Sequence, residues 1–221
     1  MAEKKLTVLI SGNGSNLQAL IDACGTDALP NAKIVHVISK NLSLIAGSRK
    51  AAYGLERASK ASIPTSYHNL VPYKKKHPSD LDLARSEYDA DLAKIITSYS
   101  TKTDLIVCAG WMHIVTPNFL NPIAEAGIKI INLHPALPGE FAGANAIGRA
   151  WEAGQKEGLK RTGVMIHEVI AEVDAGDAIV TKEVEIRQGE TEDQLEERMH
   201  AVEHKLIVEG THQTLEGLRK Q

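Results

Sequence analysis

The chain has 221 residues, 43% of them hydrophobic and 24% charged, which is long enough to bury a core and too apolar for wholesale disorder. A formal charge of −3 gives no electrostatic footprint for nucleic acid or an anionic membrane surface, so the expected partners are small molecules. No apolar run approaches the ~20 residues of a bilayer span, and the first is too short for a signal-peptide core, so a cytoplasmic location is expected.

Residues 6–10 form a short β-rich run ended by Ser11-Gly12, and helical spacing follows over residues 16–23. Cys24 follows, and with the distant Cys108 it is expected to be a reduced, buried small hydrophobe. A second strand is predicted over residues 33–39. A helix over residues 53–61 stops before Ile63-Pro64, because a residue preceding proline leaves the α region. Residues 62–67 can hold a short third strand. The stretch Lys74-Lys75-Lys76-His77-Pro78 reads as a basic exposed loop.

A long helix is predicted over residues 81–99, with Leu83, Tyr88, Leu92, Ile95 and Ile96 on one side. Apolar strands at 104–109 and 128–133 have the continuous pattern of strands covered on both faces. Two further strands, 163–170 and 178–186, flank the turn Asp174-Ala175-Gly176-Asp177, and an amphipathic helix over 192–218 closes the chain. Strands alternating with helices through short turns predict an α/β fold, Rossmann-like and doubly wound around a mostly parallel sheet, in a single domain over residues 1–221.

Three constellations can carry chemistry. In Gly12-Asn13-Gly14-Ser15-Asn16 the glycines allow a sharp turn into a helix start, where free N–H groups face an anion. Ser15 and Asn16 can add side-chain donors and cap the helix. Leu17 replaces the third glycine of a dinucleotide fingerprint, and Ser39-Lys40-Asn41 offers no acid for a ribose, so a mononucleotide-sized phosphate suits the loop better than NAD. Asn132 and His134 follow an apolar strand at the end where open α/β sheets bind ligands, and residues two apart face one side. They pair an amide donor with a group that titrates near neutrality, before a turn stiffened by Pro135 and Pro138. Asp174 is a carboxylate in a tight turn, a placement that turn chemistry alone also explains. His200-Ala201-Val202-Glu203-His204 matches the H-x-x-E-H pattern of a zinc helix, but little chain follows His204 to supply a third ligand, and no metal is expected.

Taken together, these features resemble the monofunctional phosphoribosylglycinamide (GAR) formyltransferases, of the folate-dependent formyltransferase family. Beside the glycine loop, the resemblance runs through residues 53–58, Arg85 to Asp89, residues 109–114, residues 131–135 and residues 173–176. It implies the formyltransferase fold and transfer of a formyl group from 10-formyltetrahydrofolate, as co-substrate, to the amine of GAR. The products would be formyl-GAR and tetrahydrofolate, a step of de novo purine biosynthesis by a monomer or homodimer. It further implies that Asn132 donates to a tetrahedral oxyanion and that protonated His134 stabilises it and moves the proton. Asp174 would pair with His134 and raise its pKa. Gly14, Ser15 and Asn16 would hold the substrate phosphate, shaped by Gly12 and Asn13, and Glu203 would contact the same substrate. Arg85, Met112, His113, Ile114, Val115 and Asn132 would contact folate. His113 stands where bacterial members commonly carry arginine, and residues 137–145 look more like fungal members.

Rival readings stay distinct. Methionyl-tRNA formyltransferase carries a further tRNA-binding domain, for which this chain has neither length nor basic charge, and formyltetrahydrofolate deformylase usually adds an N-terminal regulatory domain. A nicotinamide-dependent oxidoreductase lacks support in the glycine loop. A non-catalytic nucleotide-binding module would need no cluster of Asn132, His134 and Asp174.

Overall fold

A computed structural model describes residues 2–40 and 53–218, so Asn41, weighed above for ribose binding, lies outside the described residues. The chain divides into two compact units, Met1–Ile130 and Ile131–Gln221.

The first unit runs β1 (Lys4–Ile10), α1 (Ser15–Ala23), β2 (Ala32–Ser39), α2 (Tyr53–Lys60), β3 (Thr65–Tyr67), α3 (Val71–Lys76), α4 (Leu81–Thr97), β4 (Leu105–Cys108) and α5 (Pro117–Glu125). Its four strands pair in parallel in the order β3-β2-β1-β4. Leu6, Val8, Leu9 and Ile10 of β1 are fully buried, and so is every residue of β4, which accounts for their continuous apolar pattern. The chain passes from β1 to β2 on one side and reaches β4 on the other. This reversal makes the carboxyl ends of β1 and β4 the topological switch point, the place where α/β sheets bind ligands. Two loops meet there: Ser11 N–H donates to the Gly110 carbonyl at 3.0 Å, and Met112 N–H donates to Ser11 Oγ at 2.7 Å.

Several expectations change in this unit. The lysines 74–76 belong to the last turn of α3 and are not a loop; Lys76 pairs with Glu87 at 2.8 Å on its exposed face. The buried stripe of α4 is Ala84, Tyr88, Asp89, Leu92, Ala93 and Ile96, while Leu83 is 43% exposed and Ile95 is half-buried. The start of α4 is fixed by Asp80, whose carboxylate accepts from Leu83 N–H at 2.9 Å, and that cap turns Leu83 toward solvent. Cys108 is buried as expected, but Cys24 is only half-buried; both are free thiols. Burial pushes the Cys24 thiol up to about 11 and that of Cys108 to about 12, so both stay protonated at neutral pH.

Leading into the second unit, β5 (Lys129–His134) is followed by α6 (Ala146–Glu157), β6 (Arg161–Glu168), β7 (Ala178–Glu185) and α7 (Glu192–Leu218). Here β5, β6 and β7 pair antiparallel, a departure from the parallel pattern of the first unit. The long helix α7 packs closely on β6: a Cβ at Gly210 would lie 2.7 Å from three carbons of Ile166, so only glycine permits this approach.

Candidate active site

The antiparallel register of β5 and β6 builds the chemical centre of the second unit. Asn132 and His134 stand two apart on β5, and Asn132 is directly opposite His167 of β6. Side chains so placed share a face and come within reach of one another. Asp174 enters from the turn between β6 and β7 with its backbone in the left-handed region, φ 54°. That turn closes only because residue 176 is glycine, since a Cβ there would fall 1.8 Å from the Glu168 carbonyl oxygen.

The four side chains form one buried cluster. Asp174 Oδ2 lies 3.3 Å from His134 Nδ1 and accepts the Gly143 N–H at 2.8 Å. Asp174 Oδ1 is 3.5 Å from both Asn132 Nδ2 and His167 Nε2. Asn132 Nδ2 donates to His167 Nε2 at 3.1 Å, and His167 Nδ1 donates to the Glu168 carbonyl at 2.8 Å. The other nitrogen of His134, Nε2, donates to the Phe141 carbonyl at 3.2 Å. Arg149 of α6 holds this carbonyl and that of Ala142, at 2.5 and 2.7 Å, and so fixes part of the 137–145 segment.

Burial pushes the His134 imidazole below the ordinary histidine value. The Asp174 carboxylate and the Phe141 carbonyl act upward, while His167 and Arg149 add to the lowering. Asp174 acts in the expected upward direction, but burial outweighs it and the net direction is downward. Burial alone would raise the Asp174 carboxyl, but His167, the Gly143 N–H and His134 together hold it below the usual carboxylate value.

In the first unit, the glycine loop follows β1 as expected, but its capping differs. Gly14 is the N-cap of α1 with φ 73°, and no side chain caps the helix, so neither Ser15 nor Asn16 serves as the cap. Gly14 is required twice over, by its φ and because a Cβ there would lie 2.7 Å from the Gly54 Cα of α2. Arg57 of α2 donates through Nε to the Asn13 carbonyl at 3.1 Å and through Nη1 to Gln18 at 3.0 Å, placing a guanidinium beside the loop. A basic residue at 57 carries no positional signal until α2 is known to pack against α1.

The segment after β4 is extended and irregular. Met112 is 74% exposed and Ile114 53% exposed, whereas the His113 side chain is turned inward and is only 5% exposed. His113 Nε2 lies 2.7 Å from Asp89 Oδ1, so its imidazole is committed to a buried carboxylate, contrary to a side-chain role on folate. The backbone of Met112 is engaged too, its N–H by Ser11 and its carbonyl by the Lys40 ammonium. Val115 and Arg85 are half-buried, and Arg85 Nε has no hydrogen-bond partner among the described residues.

Glu203 is buried on α7, 4% exposed. Neighbouring His200 lies 3.6 Å from Glu196 at the surface, so the H-x-x-E-H spacing places Glu203 inward and His200 outward.

Residues 4–211 match the formyl transferase family. The chain is 49% identical over 211 residues to phosphoribosylglycinamide formyltransferase of Schizosaccharomyces pombe, covering 95% of this chain and 96% of that one. It is 45% identical over 224 residues to the enzyme of the same name from Saccharomyces cerevisiae, covering 98% and 99%. The solved structure of glycinamide ribonucleotide transformylase 1 from Symbiobacterium toebii superposes with a TM-score of 0.80 at 33% identity, covering 97% of this chain and 89% of that chain. The doubly wound α/β class read from the sequence agrees with that likeness.

Proposed function

The chain belongs to the formyl transferase family, and from that premise we propose that it transfers the formyl group of 10-formyltetrahydrofolate to the amine of GAR, as a single formyltransferase domain of the cytoplasm. The observation that carries this reading is the buried contact of His134 with Asp174, 3.3 Å apart, beside the Asn132 amide.

The amine lone pair attacks the formyl carbon and the C=O electrons move onto oxygen. Asn132 has two amide N–H groups; His167 holds one at 3.1 Å, and the other is only loosely engaged by Asp174 at 3.5 Å. That second N–H is the donor for the oxyanion, and removing such a donor typically costs about 10²–10³ in rate. A neutral His134, favoured by its burial, takes the proton from the attacking nitrogen as that nitrogen becomes positive. The resulting imidazolium is stabilised by the Asp174 carboxylate, stabilises the oxyanion in turn, and delivers its proton to the departing folate nitrogen. When His134 Nε2 leaves the Phe141 carbonyl for the reacting atoms, the single proton of the neutral ring sits on Nδ1 against Asp174, which frees the Nε2 lone pair to take the amine proton. The C–N bond to folate then breaks as Nε2 returns that proton to the departing nitrogen. These side chains supply both the proton transfers and the oxyanion donor, so the proposed chemistry assigns no role to a metal.

For binding, the first-turn N–H groups of α1 at Gly14, Ser15 and Asn16 receive the ribose phosphate of GAR, with Gly12 and Asn13 shaping the loop. Glu203 contacts the same substrate. Arg85, Met112, Ile114, Val115 and Asn132 contact the folate, and any contribution of His113 comes from its backbone. A formyl-transfer assay with GAR and 10-formyltetrahydrofolate tests the reading. Tetrahydrofolate should form only when GAR is present; equal release without GAR would identify a deformylase.

A further inference from the structure

Asp89 of α4 is fully buried, and a buried carboxylate is costly unless its oxygens are satisfied. Both of its hydrogen-bond partners among the described residues lie in one short stretch after β4. Oδ1 meets His113 Nε2 at 2.7 Å, and Oδ2 accepts the Thr116 N–H at 2.6 Å. Thr116 is also the N-cap residue of α5, with no side-chain cap of its own, so this carboxylate marks where the irregular segment ends and the helix begins.

The His113 ring is fixed by more than this bond. It meets Tyr88 edge-on at 5.0 Å and Trp111 edge-on at 6.2 Å. With His113 drawn inward, alternation along an extended chain turns Met112 and Ile114 outward, and these are the two large apolar side chains the segment exposes. A stretch without a strand ladder thus presents two apolar groups in a fixed pose, and the fixing charge lies behind it.

We propose that Asp89 is a positioning residue for the formyl donor: it clamps residues 113 and 116 so that Met112 and Ile114 form a rigid apolar face for the pteridine ring. The proposal rests on the reading that this segment takes the folate. Asp89 does not touch the donor; it acts through His113 and Thr116. A loosened segment has to be reordered on each binding event, which weakens donor affinity and leaves the chemical step and the GAR site alone.

The test combines kinetics with the emission of Trp111, a buried indole within the segment, in a Trp151→Phe background that leaves it the sole tryptophan. Asp89→Asn should raise the KM for 10-formyltetrahydrofolate about tenfold, the scale of one lost charged hydrogen bond, with kcat and the KM for GAR unchanged within about twofold. Trp111 emission should shift to longer wavelength. His113→Phe keeps the ring and loses one arm of the clamp, so it should show a smaller rise and serves if Asp89→Asn does not fold. His113→Gln, whose amide still donates to Asp89, should recover donor affinity relative to His113→Phe. Unchanged donor KM in both Asp89→Asn and His113→Phe, while the donor still alters Trp111 emission in the parent, overturns the clamp alone. Absence of any donor-induced change in the parent overturns the donor site and the clamp with it.

Discussion

Asp174 and His134 meet at 3.3 Å, carboxylate oxygen to ring Nδ1, although they stand 40 positions apart in the sequence and Asp174 sits in a left-handed turn. The same carboxylate oxygen is anchored by the Gly143 N–H at 2.8 Å, so it is held on the imidazole by the backbone. Asp174→Asn keeps the shape but removes the charge that stabilises an imidazolium. The expected result is a fall in kcat of about 10² or more, with the Kd for GAR changed little. His134→Ala should lose at least as much. Steady-state kinetics together with GAR binding by calorimetry check both, and near-normal turnover in either variant removes these residues from the chemistry.

The same pair gives a pH dependence of definite sign. Burial lowers the His134 pKa below 6.5, and Asp174 opposes that lowering. NMR titration of the His134 ring should therefore give a midpoint below 6.5, and a lower one still in Asp174→Asn. A group with a depressed native pKa binds fewer protons folded than unfolded, so stability rises with pH between the native pKa and the unfolded value of about 6.5. His134 thus contributes stability that is present above pH 6.5 and lost as pH falls through its native pKa. His36 and His68 are lowered by burial as well and add the same sign. The contribution of His134 is isolated by comparing unfolding midpoints with His134→Gln, which should lose less stability on acidification. Parallel curves would refute the assignment.

Much of this centre was legible in the sequence, for physical reasons that differ by residue. The apolar runs read at residues 6–10 and 104–109 correspond to β1 (Lys4–Ile10) and β4 (Leu105–Cys108) and show as such because both their faces are covered, and α7 shows its full extent, Glu192–Leu218, by its sustained helical spacing. The helix α5 is obscured in the sequence by its two prolines, although Pro117 stands at the first helical position, where a missing N–H costs no hydrogen bond. The helix α6 is obscured by Gly148 and Gly154, where a Cβ would meet Glu192 or Ile186, contacts that no local window contains. His167 reads as one polar residue ending an apolar strand, and it becomes part of the site only through the antiparallel register that sets it opposite Asn132. Asp89 likewise lies in a helix whose partner is the loop 24 residues further on. Asn132, His134 and Asp174 stand out in the sequence by residue type and local pattern, whereas His167 and Asp89 acquire a place only through register or contacts between elements.

The glycine loop separates a binding role from a structural one. Gly12 has no atom within 4 Å of a built Cβ and does not have a positive φ, whereas Gly14 has φ 73° and a Cβ that would lie 2.7 Å from backbone. Gly12→Ala should therefore fold with an unchanged melting temperature and act only through the approach of the phosphate, raising the KM for GAR. Gly14→Ala adds a left-handed alanine, costing about 1–2 kcal/mol before the clash with Gly54 is counted, and should lower the melting temperature as well. Thermal denaturation beside GAR kinetics distinguishes them; equal destabilisation by both would show that the turn, and not residue 14 alone, is under constraint.

His167 offers the sharpest remaining test of the Asn132 assignment. Its Nδ1–H is fixed on the Glu168 carbonyl at 2.8 Å, which leaves Nε2 as an acceptor for one N–H of Asn132 at 3.1 Å. That bond sets which way the Asn132 amide faces, and with it whether the second N–H points at the reacting oxygen. In His167→Ala the amide can rotate and present its carbonyl instead, which repels an oxyanion. The expected loss is in kcat, by about tenfold to a hundredfold, consistent with partial loss of one oxyanion donor. His167→Gln can accept the same N–H through its side-chain oxygen and should recover most of the rate. A purely structural role predicts a different outcome: both variants would lose thermal stability together, kcat would not track the acceptor, and Asn132→Ala would remain fully additive with His167→Ala. In the arrangement argued here the two act as a unit, so the double variant should be little worse than Asn132→Ala by itself.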